Sequence, residues 1–161
     1  KKTAIIDSAE EIKEAHKKMI AGEFTKCHRK WYGTYSALYS EHSRKRFEEG
    51  KAVGEKELML IRAERIKYRE RIDGLLSREK AIALLTPSSK DAAPRGLENT
   101  GSPLLNLPWT YAGLPAVTIP AAVNPEGLPL GIQIVGSFCR DEELLSLAAR
   151  IESLLKNRGI T

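Results

Sequence analysis

Apolar positions recur every three or four residues in the first half of the chain, then give way to short continuous runs. That change of period separates a helical part from a strand-forming part. Ile12, Ala15, Met19 and Ile20 form the first stripe. They predict a helix from Ala9 to about Leu38, with Ser8 as N-cap and Glu10 and Glu11 at the positive end of the helix dipole. Thr3–Ile6 ahead of it reads as a short strand or an extended lead-in, and Gly22 or Gly33 is expected to break or kink the helix. Ser40–Phe47 predicts a shorter helix ending at Gly50, a residue suited to the left-handed C-cap conformation. Leu58, Ile61, Tyr68, Ile72 and Leu75 then mark a long helix over Glu55–Leu76. Arg65 interrupts that stripe, and the pattern is too short and too broken for a coiled coil.

Beyond residue 80 the pattern is that of strands. Ala81–Thr86 is an apolar run stopped by Pro87, as expected for a buried strand. Ser88–Pro103 is rich in Ser, Pro, Gly and Asn and reads as a long loop, the kind that is usually functional or disordered. Ala116–Pro120 and Leu130–Val135 are the next strands, joined by an Asn124–Gly127 turn into an antiparallel hairpin. The nearly unbroken apolar character of the second predicts burial on both faces. Pro115, Pro120 and Pro129 are read as strand ends. The last helix has Asp141 as N-cap, Glu142 and Glu143 in its first turn, a stripe of Leu144, Ala148, Ile151 and Leu155, and an end at Lys156, Arg158 and Gly159. The layout is α/β, with helices over 1–80 and strands, loop and terminal helix over 81–161.

Composition narrows the class. With 161 residues, 42% hydrophobic and 29% charged, the chain is globular in character, and no apolar run approaches the ~20 residues that span a bilayer. Lys1 and Lys2 are followed at once by Asp7, Glu10 and Glu11, so no signal-peptide core is read and a cytoplasmic location is expected. The formal charge of +5 invites a nucleic-acid reading, but the bases are interleaved with acids: Glu10 with Lys13, Glu14 with Lys17 and Lys18, Glu64 with Lys67. Such spacings describe solvated helix faces rather than a nucleic-acid groove. Cys27 and Cys139 lie far apart and form no metal-binding pair. His16, His28 and His42 are read as ordinary surface histidines, so neither metal nor cofactor is expected.

The segment Asn99–Gly136, NTGSPLLNLPWTYAGLPAVTIPAAVNPEGLPLGIQIVG, carries the most specific signal. Its T-G-S-P, P-W-T-x-A-G-L-P-A, I-P-A and G-L-P-L-G-I-Q-I-V-G runs resemble the C-terminal half of the amidase signature family of serine amidohydrolases. Leu84-Leu85-Thr86-Pro87, Ala93-Pro94-Arg95-Gly96-Leu97 and the Asp141–Leu155 helix follow the family's order. The resemblance implies a mixed sheet flanked by helices and hydrolysis of carboxamide C–N bonds. In the family a serine attacks the carbonyl, a second serine and a lysine relay the proton, and a Gly/Ser-rich loop holds the oxyanion. This chain has no G-G-S-S-x-G loop or matching upstream lysine, so catalytic residues are expected to lie outside it. Pro87-Ser88-Ser89-Lys90 offers two serines and a lysine, but adjacent residues of an extended loop point in different directions, and a polar turn is expected.

By the same analogy the chain finishes the sheet and supplies one wall of a pocket for a small amide once joined to the N-terminal part of the enzyme. The loop Gly96–Trp109 is the candidate wall. Thr100 offers a hydroxyl, Gly101 a close backbone approach, and Trp109 a flat apolar face with one N–H donor. The structural alternative is that Trp109 fills the core, Gly101 makes a turn and Thr100 caps it. Gln133, polar within an apolar strand, is expected to tie loop backbone to sheet, because an unpartnered buried amide is costly. Two departures from the family stand out. Glutamine-using members usually carry an acid near the position of Pro103, and its absence here favours small-amide hydrolysis over glutamine-dependent transfer. Ile82 replaces an acid that commonly precedes Leu-Leu-Thr-Pro, leaving a local helix-to-strand contact in doubt. The alternative function is a non-catalytic α/β module for binding or assembly, and a homodimer is one assembly open to the chain.

Overall fold

The computed structural model describes residues 9–157 and 159. The lead-in at Thr3–Ile6, the Ser8 cap and Arg158 lie outside the described residues. The elements are α1 (Ala9–Tyr35), α2 (Glu41–Lys51), α3 (Glu55–Glu79), β1 (Leu84–Pro87), α4 (Leu107–Ala112), β2 (Ala116–Val123), β3 (Pro129–Val135) and α5 (Asp141–Asn157). They fall into two compact units, one up to Lys67 and one from Tyr68 onward.

In the first unit α1 runs unbroken through both glycines, and a 3₁₀ turn at Ser36–Leu38 completes the expected span. Gly22 is buried where a Cβ would press on the Val53 side chain at 3.2 Å. Gly50 does not cap α2. The helix continues to Lys51, and a Cβ at Gly50 would collide with the Ala21 carbonyl oxygen and Thr25 Oγ1. The glycine is therefore a point of close helix approach, a requirement set by α1 and invisible in α2's own pattern. Thr25 Oγ1 donates to the Phe47 carbonyl at 2.8 Å across the same contact, and the Tyr32 and Phe47 rings stack with centroids 3.7 Å apart. Ser40 caps α2 by accepting from the Ser43 amide at 3.2 Å. Arg62 donates through Nε and Nη2 to Glu23 Oε1 at 3.1 and 3.0 Å, and Lys18 pairs with Glu57 at 2.7 Å. The pairs Lys13–Glu10 and Lys67–Glu64 form as their spacing predicts. His28 differs from an ordinary surface histidine: it stacks on Phe24 at 4.2 Å, and its Nδ1 lies 2.7 Å from the Tyr39 hydroxyl.

The second unit is built on an antiparallel sheet of order β1-β3-β2. β3 is central, and its last three residues, Gln133, Ile134 and Val135, are buried on both faces. On one face Ile119 and Ile134 pack with Leu144 and Ala148 of α5, supported by Val117, Ile132, Leu147, Ile151 and Leu155. The α5 stripe is thus the expected one. β1, by contrast, is an edge strand with alternating exposure, and Leu85 keeps 63% of its surface in contact with solvent. Its apolar run alone suggested burial, but strand order decides that question. β2 also extends past Pro120 to Val123, with a register shift between Pro120 and Ala122. Proline is tolerated there because β2 is an edge strand and the register shift disrupts the ladder locally. Asn124 closes the hairpin: its amide donates to the Leu128 carbonyl, and its Oδ1 accepts from the Glu126 and Leu128 amides.

Candidate functional site

Opposite α5, the other sheet face carries a polar row. Thr86, Gln133 and Thr118 stand side by side in register, and directly opposed residues of antiparallel strands share a face. Gln133 is 6% exposed. Its Nε2 donates to Asn106 Oδ1 at 2.6 Å, and its Oε1 accepts from the Thr86 hydroxyl at 3.3 Å. The buried amide therefore ties the end of the loop to two strands, through the Asn106 side chain rather than through loop backbone. The direction of this chain of bonds also orients Asn106, turning its carbonyl oxygen toward the sheet. Two residues along β3, Gly131 leaves room that a Cβ would lose to Thr118 Cγ2 and Ser88 Oγ. Ser88 fills that room and donates its hydroxyl to the Gly131 carbonyl at 3.0 Å. Glycine within a strand here marks close approach of a neighbouring segment.

The loop over this face turns at two glycines with left-handed backbone, Gly96 at φ +85° and Gly101 at φ +87°. Asn99 Oδ1 accepts from the Gly101 amide at 2.8 Å, an Asx turn that holds the bend. Asn99, not Thr100, caps it. Thr100 and Gly101 both lie at the exposed surface. Ser102 accepts from the Leu104 amide and opens a 3₁₀ turn, Pro103–Leu105. The expected loop then ends early, because α4 begins at Leu107 with Pro108 in its first turn and stops at Gly113, φ +70°.

Trp109 sits on α4 and is 4% exposed. The structure thus brings Thr100 and Gly101 together on the surface and places Trp109 in the interior, where the indole packs as core. Its Nε1–H and the Tyr68 hydroxyl are buried with no hydrogen-bond partner among the described residues. Burial raises the Tyr68 phenol above its ordinary pKa, with Arg71 acting in the opposite direction. Arg69 secures α4 from the side: its Nε donates to the Ala112 carbonyl at 2.8 Å, and its guanidinium lies 3.6 Å from the Phe138 ring centroid. Ser89, like Ser88, spends its hydroxyl on a backbone carbonyl, that of Asp91 at 2.5 Å.

Asn106, Thr86 and Arg69 were not singled out from sequence. Pro108 just inside α4 and Gly113 just past it are the signals that could have revealed the helix.

The amidase family model matches residues 2–145 of this chain. The chain belongs to the amidase family. It is 35% identical over 85 residues to a glutamyl-tRNA(Gln) amidotransferase subunit of Pelagibacter ubique, covering 48% of this chain and 18% of that protein. To the protein of the same description from Wolbachia pipientis it is 32% identical over 127 residues, covering 74% of this chain and 23% of the relative. Among solved structures, a crystal structure of an amidase superposes with a TM-score of 0.77 at 27% identity, over 90% of this chain and 36% of that one. The peptide amidase of Stenotrophomonas maltophilia shares the fold, with a TM-score of 0.70 at 20% identity, over 91% of this chain and 34% of the other. The chain therefore spans about a fifth of the length of these curated relatives and about a third of these structures. No helix among the described residues is long and apolar enough to cross a membrane.

Proposed function

We propose that this amidase-family chain is the C-terminal portion of an enzyme that hydrolyses small carboxamides by a Ser-Ser-Lys mechanism whose catalytic residues lie outside it. One observation carries the reading. The one Ser-Ser-Lys run in the sequence, Ser88-Ser89-Lys90, commits both hydroxyls to backbone carbonyls. A serine used in this way is not hydrogen-bonded to the base that would activate it.

The chain's contribution is scaffold and one wall. In this reading the Thr100 hydroxyl and the backbone at Gly101 meet the substrate, and Trp109 supports the loop from within. Gln133 and Asn106 hold the loop to the sheet, and no cofactor takes part. The lack of an acid near Pro103, where glutamine-using members usually carry one, favours hydrolysis over the amidotransferase role named for the curated relatives. The strand edges support further packing: among the described residues β2 pairs only with β3, and Val123 on it is 58% exposed. A stand-alone binding module would instead be expected to close and coat that edge.

Ammonia release from a panel of aliphatic and aromatic carboxamides tests the proposal. The purified 161-residue chain should release none. Joined to an amidase N-terminal part that carries the G-G-S-S-x-G loop, it should support turnover that a Gly101→Val change impairs. Robust hydrolysis by the chain alone, lost in Ser88→Ala or Ser89→Ala, would overturn the assignment. Failure of the joined protein to turn over any amide would favour the binding-module alternative.

A further inference from the structure

The first helical unit holds a cleft of about 500 Å³ that takes no part in the reading above. Its volume lies within the range usual for small-molecule sites. Lys26, Arg29, Tyr32 and Gly33 of α1 line it together with Phe47 and Lys51 of α2. Three of these six residues are cations, and Glu55 is the acid among the lining residues. Lys26 is paired with Glu55 at 3.2 Å and Lys51 with Glu48 at 2.7 Å. No carboxylate among the described residues lies within ion-pair distance of Arg29. With Lys26 and Lys51 each paired to a carboxylate, the surplus positive charge of the cleft is that of Arg29, whose donors meet no acceptor among the described residues.

The opposite character comes from the aromatic pair. Tyr32 and Phe47 stack almost parallel, 11° apart, and Lys51 Nζ lies 5.4 Å from the Phe47 centroid. Gly33 adds a geometric clue. A Cβ there would meet nothing within 4 Å, so packing inside the chain does not require glycine. Its missing side chain leaves space within the cleft.

We propose that this cleft binds a small organic oxyanion, a phosphate or carboxylate head carried on a flat apolar body. Arg29 takes the head through paired N–H donors, Lys26 and Lys51 stay with Glu55 and Glu48 at the walls, and the body lies against Tyr32, which the buried Phe47 ring backs from within. Its lining residues all belong to the first unit and none to the substrate-side loop, and its test does not depend on amide hydrolysis.

Calorimetric titration of the purified chain with phenyl phosphate and with benzoate provides that test, with inorganic phosphate and phenol as head-only and body-only probes. Either acid should bind saturably and more tightly than inorganic phosphate or phenol. The tighter of the two identifies the head as phosphate or carboxylate. Arg29→Gln should weaken binding about tenfold by removing the paired donors. Lys30→Gln removes the same charge one residue away and should leave binding unchanged. Gly33→Leu fills the cleft at a position where the added Cβ meets nothing, so it should block binding while circular dichroism shows the helices intact. Absence of saturable binding, equal weakening by Lys30→Gln, or undiminished binding to a folded Gly33→Leu variant would overturn the proposal.

Discussion

Replacing Gln133 with leucine probes the contact that joins loop and sheet. The side chains are close in volume, so the change removes the two hydrogen bonds, to Asn106 at 2.6 Å and from Thr86 at 3.3 Å, without opening a large cavity. Each such bond contributes about 0.5–1.5 kcal/mol net. Thr86 and Asn106 are only half-buried, so water can re-solvate them in part, and leucine gains some apolar burial in exchange. The expected loss is about 1–2 kcal/mol. With a urea dependence of about 2 kcal/mol per molar, the unfolding midpoint falls by roughly 0.5–1 M. Trp31→Phe leaves Trp109 as the one remaining tryptophan, 4% exposed in the same unit as Gln133, so its emission follows the relevant transition. Thr86→Val in the same background, and the double variant, complete a thermodynamic cycle. Residues that share a hydrogen bond couple by about 0.5–3 kcal/mol. A Gln133→Leu protein as stable as its parent, or strictly additive effects of the two changes, would refute the view that this network fastens the loop.

Two further outcomes follow from the helical unit. Gly50→Ala drives a methyl into the Ala21 carbonyl and Thr25 Oγ1, so α1 and α2 must separate; overpacking of this kind costs about 1–3 kcal/mol, and an unchanged melting temperature would contradict the close approach. His16 is held below its ordinary pKa of 6.5, first by burial and then by the Arg65 charge. The unfolded chain therefore takes up the proton more readily, so this contribution to stability is present above pH 6.5 and is lost as pH falls through the folded-state value. Urea midpoints measured across that range should show the decline, and His16→Gln should flatten it.

The site was less legible than the fold. Gly101 announced a turn because a left-handed backbone is a local demand that glycine meets at little cost. The partners of Gln133 carried no such mark: Asn106 and Thr86 lie 27 and 47 residues away in sequence. Their meeting depends on strand register and on where α4 begins. Trp109 shows the same gap. Its core reading holds at 4% exposure, but the sequence reads as loop right through to it, whereas the six-residue helix Leu107–Ala112 is what turns it inward.

By itself the sequence determined the long helices, the β2–β3 hairpin and the stripe of α5, since apolar period and turn residues act over a few positions. It also determined the family, through motifs dense enough to carry their own order. Tertiary structure alone decided that Gly50 serves helix contact rather than a cap, that Leu85 is exposed and that β2 runs past Pro120. It also decided that both loop serines are committed to backbone. Each of these depends on which segment lies alongside, a property of strand order and helix packing that no local pattern encodes.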